Sequence, residues 1–133
     1  MKVFLDTNVV VSAVATRGLC ADLFHLILAE HELVLGETVL TELRHVLRWK
    51  LGLSVHTIEE LETFLRQQAR VVIASNAVPA RGLDAADMAV PAEAATAAVD
   101  VLVTGDHHDL LAAALSVEIV SPRGLWEKLR GAS

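Results

Sequence analysis

An α/β fold built on a central parallel sheet of about five strands is what this 133-residue sequence predicts, on three observations. Short runs rich in Val, Ile and Leu alternate with longer stretches of helical period. The runs are almost continuously apolar, as in Val3-Phe4-Leu5 and Val101-Leu102-Val103, which suits strands covered on both faces. Finally, 53% of the residues are hydrophobic but only 4% aromatic, a composition for one aliphatic core and not for a disordered or collagenous chain.

Taken in order, the strand-like runs are Lys2 to Asp6, Glu32 to Leu35, Arg70 to Ala74, Val99 to Val103 and Val117 to Val120. Between the second and third, Val39, Leu40, Leu43, Val46 and Leu47 recur at helical spacing. Thr57 with Glu60 reads as a capping box ahead of Ile58, Leu61 and Leu65. Pro79 and Gly82 mark 75–83 as a loop, and an Ala-rich helix is expected beyond it. Ser121 then Pro122 read as N-cap and first helical residue of a closing helix that carries Leu125, Trp126 and Leu129 and stops at Gly131. No composition shift or linker divides the chain, so residues 1–133 are read as a single domain.

Composition narrows the function. Eleven Lys and Arg against seventeen Asp and Glu leave a net charge of −6, which excludes a broadly basic nucleic-acid-coating protein. Cys20 has no partner for a bridge and reads as a packed small hydrophobe. The longest apolar stretch, Ala85 to Thr104, is interrupted by Asp87, Pro91, Glu93 and Asp100, too polar to span a bilayer. With no signal-peptide pattern at the start, the expectation is a cytoplasmic protein.

The acids concentrate where open parallel sheets build sites. Asp6 ends the first strand, and Asp106 and Asp109 follow the fourth after Thr104 and Gly105. Each also has a plain structural reading: Asp6 as a helix cap, Asp84 and Asp87 as caps of the Ala-rich helix, Glu42 as an exposed helix residue at the border of an apolar face. Several carboxylates converging on one crevice would repel one another, and a divalent cation resolves the conflict. Oxygen donors without paired Cys or His suit Mg²⁺ or Mn²⁺ rather than zinc, and such ions favour phosphoryl chemistry.

The sequence resembles the PIN-domain ribonucleases, in particular the VapC-type toxins of toxin-antitoxin modules. The likeness runs nearly end to end. It is carried by Val-Phe-Leu-Asp-Thr-Asn-Val-Val-Val-Ser-Ala at 3–13, Thr-Glu-Leu-Arg-His-Val-Leu at 41–47, Asp87 ahead of the Ala-rich helix, Leu-Val-Thr-Gly-Asp-His-His-Asp-Leu-Leu at 102–111 and Ser-Pro-Arg at 121–123. The resemblance implies a three-layer α/β/α fold with sheet order 3-2-1-4-5, which sets the first and fourth strands side by side. It implies that Asp6, Glu42, Asp87 and Asp106 form a catalytic, metal-binding cluster, that Asp109 is an additional metal ligand, and that Asn8, Ser12 and Thr104 support it. The activity implied is Mg²⁺- or Mn²⁺-dependent hydrolysis of RNA phosphodiesters. The implied partners are an RNA substrate, a cognate antitoxin and a second copy in a homodimer.

Two features depart from the family pattern. Relatives carry a longer acidic run where this chain has Leu83-Asp84-Ala85-Ala86-Asp87, so Asp87 is assigned by its spacing to Asp106, with Asp84 as a possible supplement. Pro91, four residues after Asp87, costs an early helical hydrogen bond unless the helix starts later. Arg17, Arg44, Arg48 and Arg81 are candidate phosphate contacts, although Arg44 and Arg48 beside Trp49 read first as a solvated helix face. His107 and His108 flank Asp106 and are read equally as loop polarity or as contacts to substrate or metal. Two rivals stand beside the nuclease: a catalytically weak PIN-fold module that binds RNA or protein, and an aspartyl-phosphate phosphatase, which wants an Asp where Asn8 stands.

Overall fold

The computed structural model describes residues 1–73, 85–105 and 117–131, with 85–89 described as backbone only. Five parallel strands form one sheet in the order β3-β2-β1-β4-β5. They are β1 (Lys2–Leu5), β2 (Glu32–Gly36), β3 (Arg70–Val72), β4 (Val101–Val103) and β5 (Glu118–Val120). The expected order and strand count both hold. Helices α1 (Thr7–Ala15) and α2 (Leu19–Glu30) join β1 to β2. Helix α3 (Glu37–His45), continued by a π-helical turn at Val46–Lys50, and α4 (Val55–Gln68) join β2 to β3. Helix α5 (Ala85–Thr96) precedes β4, and α6 (Pro122–Arg130) closes the described chain. The arrangement is the three-layer α/β/α fold the resemblance implied.

Past the charged first residues of β1 and β2, Lys2 and Glu32, the central strands are apolar because both of their faces are covered. Val3, Phe4 and Leu5 of β1 have no exposed surface, and Val101, Leu102 and Val103 of β4 are equally buried. The edge strands β3 and β5 begin with the exposed Arg70 and Glu118, polar starts that discourage edge-to-edge pairing. Around the sheet, α1 packs on α2 and α3, α2 on α6, and α3 on α4 and α5. Among the described residues, no single helix is long and apolar enough to cross a membrane. Cys20 is half-buried and packs against the core as expected.

Three helix starts test the sequence reading. Ser121 does cap α6, its side chain accepting the N–H of Gly124 at 2.9 Å, with Pro122 following. Helix α4 begins earlier than the Thr57 box predicts: Ser54 is the N-cap, and its Oγ accepts the Thr57 N–H at 3.1 Å. Thr57 is thus the third residue of the helix, and its hydroxyl accepts from Ser54 Oγ at 2.9 Å. Helix α5 starts at Ala85, ahead of Asp87, so Pro91 falls inside it. Proline has no N–H to donate, and the carbonyl four residues back, that of Asp87, loses its ordinary helical donor. The expected loop at 75–83 lies outside the described residues.

Candidate active site

Strand register builds the site. Leu5 of β1 is level with Val103 of β4, so the next residue of each strand, Asp6 and Thr104, emerges at the same carboxyl edge. The Asp6 N–H continues the ladder to the Val103 carbonyl at 2.9 Å, and the Thr104 N–H reaches Val120 at 3.0 Å. The Thr104 hydroxyl then donates to Asp6 Oδ2 at 2.7 Å. On the other side, the Thr7 N–H donates to Asp6 Oδ1 at 2.8 Å. Asp6 is therefore both things the sequence allowed, the N-cap of α1 and a strand-end carboxylate on the crevice between β1 and β4. It is only 8% exposed.

Thr7 links the first acid to the second. While its N–H serves Asp6, its hydroxyl donates to Glu42 Oε2 at 2.9 Å. Glu42 as a residue stands exposed on α3, yet its carboxylate reaches a buried threonine, which matches its place at the border of the apolar face. Thr7 was not singled out from the sequence. The signal was available in its position directly after Asp6, at the first helical residue, where a hydroxyl is well placed beside a strand-end acid.

The remaining predicted residues divide. Asn8 is exposed on the first turn of α1, and Ser12 is half-buried one turn on, its carbonyl accepting the N–H of Thr16 at 3.1 Å and its hydroxyl at 2.6 Å. Asp87 lies in the first turn of α5, with its side chain outside what is described. Asp84, Asp106, His107, His108, Asp109 and Arg81 lie outside the described residues. Among the described residues, no three His, Cys, Asp or Glu side chains converge closely enough to hold a metal.

A second residue passed over from the sequence is Glu93, noticed only as a break in an apolar stretch. It is 2% exposed, and both carboxylate oxygens accept the Thr38 N–H near the start of α3, at 3.3 and 3.2 Å. Glu37, one residue earlier, is gripped by Arg66 of α4 at 2.6 Å and 2.9 Å. The hydrogen bond from Arg66 holds the Glu37 carboxyl below its ordinary range.

Two of the cationic candidates, Arg44 and Arg48, sit elsewhere. A groove of about 660 Å³ between α3, its π-helical turn and α4 is lined by Arg44, Arg48, Trp49, Glu59, Glu62 and Arg66 among others; neither Asp6 nor Glu42 lines it. Arg44 pairs with Glu62 at 2.8 Å, and Arg48 lies 5.3 Å over the ring of Trp49, which is 71% exposed. Those contacts agree with a solvated helix face.

The fold and the carboxylate at the end of β1 together define an open parallel α/β architecture with a polar site at its topological switch point. Residues 2–108 match the family model of the PIN domain, and the chain belongs to that family. PIN domains are in general nucleases. No individually curated protein matches the chain in sequence. Among solved structures, the chain is similar to one in VapBC2 from Rickettsia felis, crystallised with a DNA fragment from its promoter, at TM-score 0.65 and 16% identity over 91% of this chain and 98% of that one. It is also similar to a chain of FitAcB from Neisseria gonorrhoeae, at TM-score 0.57 and 20% identity over the same shares, 91% and 98%.

Proposed function

We propose that the protein is a metal-dependent endoribonuclease that hydrolyses RNA phosphodiester bonds, the toxin of a type II toxin-antitoxin system. The observation that carries the reading is the pair of carboxylates at the switch point, Asp6 fixed by Thr104 and Thr7, and Glu42 tied to the same Thr7. A carboxylate fixed from both sides, with oxygen donors around it among the described residues, suits a hard divalent cation, Mg²⁺ or Mn²⁺. Asp6, Glu42, Asp87, Asp106 and Asp109 would hold it, with Asn8, Ser12 and Thr104 in support. When bound, the cation supplies Lewis acidity and an activated water for in-line attack on phosphorus.

The chain's own residues do the rest. The bonds from Thr104 and Thr7 fix the orientation of the Asp6 carboxylate. Thr7 holds Glu42 at a fixed offset, so neither acid must reorganise when charge develops on the phosphate. No covalent nucleophile is required of the protein.

Residues 1–133 are read as a single PIN-like domain of a cytoplasmic protein that forms a homodimer and is held inactive by a cognate antitoxin. The family membership and the VapBC2 and FitAcB likenesses support that reading. Incubating purified protein with single-stranded and structured RNAs tests the activity. Cleavage is expected with Mg²⁺ or Mn²⁺, and it should disappear with EDTA or in Asp6→Asn. Cleavage that survives both treatments overturns the reading.

A further inference from the structure

Gly36 ends β2 on the same carboxyl edge as Asp6. The β1–β2 register pairs Val3 with Leu33 and Phe4 with Val34, and the same offset sets Gly36 level with Asp6 on the adjacent strand. A side chain at Gly36 has no room, because a Cβ there would overlap the Glu93 carboxylate and meet Phe4 Cζ at 3.1 Å. The space that glycine leaves is filled by an acid arriving from α5. Helix α3 starts immediately after Gly36 and has no side-chain cap of its own. Glu93 takes that part from another element, accepting the Thr38 N–H with both oxygens. A carboxylate this deeply buried is retained only with such compensation, and a helix N-terminus favours negative charge.

Helix α3 carries Glu42, and α5 carries Asp87 six residues before Glu93. We infer that Glu93 is a positioning residue of the acidic site: its carboxylate, seated on Gly36 and bonded to the α3 N-terminus, fixes α5 against α3 and so holds Glu42 at its place beside Asp6. The inference rests on the proposed metal site and adds a residue that does not itself touch the ion. Reach decides the effect more than charge. An amide at the same length keeps an oxygen for Thr38, whereas Asp, shorter by one methylene, must release the bond or draw α5 inward.

Calorimetric titration of the full chain with MnCl₂, well below its unfolding temperature and with folding checked by circular dichroism, reads this directly. Glu93→Gln is expected to bind Mn²⁺ within about threefold of the unaltered protein, and Glu93→Asp about tenfold or more weaker, the scale on which outer supports of a metal site act. The unfolding midpoints, measured alongside, report the purely structural cost. Wild-type affinity in a folded Glu93→Asp, or equal losses in Glu93→Gln and Glu93→Asp, would overturn the positioning role. If the unaltered protein binds no Mn²⁺ and matches Asp6→Asn, the metal-site reading falls and takes the inference with it, an outcome distinct from strong binding that ignores Glu93.

Discussion

Each important side chain here serves two neighbours at once. Thr104 supplies its backbone to the β5 ladder and its hydroxyl to Asp6, and it is itself only 3% exposed. Thr104→Val keeps the shape and β-propensity but removes the donor, leaving a buried carboxylate one hydrogen bond short. The expected cost is about 2 kcal/mol, the range for bonds to charged groups, measured as a lower urea midpoint with unchanged slope. Thr104→Ser restores a hydroxyl at the same position and is expected to recover part of the loss. A Val variant as stable as the unaltered protein would mean that Thr104 contributes nothing to holding Asp6. Asp6, Glu42 and Thr104 were legible in the sequence because strand ends, helical phase and motif all pointed at them. Thr7 and Glu93 were not, since a threonine after an acid and a Glu in an Ala-rich helix acquire meaning only from what the tertiary fold brings beside them.

Elements are tied together at the start of α3 by charge as well as by Glu93. Glu37, Arg66, Glu62 and Arg44 form a chain of ion pairs that joins α3 to α4, with Arg66 Nε on Glu62 Oε2 at 3.0 Å and Arg44 Nε on Glu62 Oε1 at 2.8 Å. Because Arg66 holds the Glu37 carboxyl below its ordinary value of 4.5, the folded chain binds fewer protons there than the unfolded one. The associated stability is present at neutral pH and is lost as pH falls below that value through the lowered one. The Glu37 and Arg66 side chains are 31% and 37% exposed, so screening limits the contribution to about 0.5–1 kcal/mol. Urea unfolding near pH 7 and about pH 3 is expected to show a smaller acid loss in Glu37→Gln than in the unaltered protein, and equal losses would remove the pair from the pH response. Sequence reading served the elements unevenly for the same reason of context. Apolar runs located every strand to within two residues, whereas the box read at Thr57 put the start of α4 three residues late, because the cap is Ser54. Helix α5, which includes Pro91, begins before Asp87 despite the missing N–H, which local propensity alone would have discouraged.

For the molecule as a whole, the parallel α/β class followed from alternating runs and helices, while the strand order came through the resemblance, because no residue pattern by itself says that β1 lies between β2 and β4. That order puts a buried carboxylate on the switch point of a chain whose net charge is already −6. The proposed function makes that carboxylate, with Glu42 and the further acids that would join it, a cation site. A cation that binds the folded crevice and not the unfolded chain must therefore stabilise the whole domain. At a concentration 100-fold above its dissociation constant, linkage gives about 2.7 kcal/mol. For a domain of this size that corresponds to a rise of roughly 10 °C in the unfolding midpoint. Thermal scans across a Mn²⁺ series are expected to show the midpoint climbing with the logarithm of concentration in the unaltered protein. In Asp6→Asn the dependence should be absent, and its midpoint without metal should be no lower than the unaltered protein's by more than the loss of one cap, about 1 kcal/mol. A midpoint indifferent to Mn²⁺ in both proteins would mean that the acids are not a cation site, whatever the nuclease assay reports.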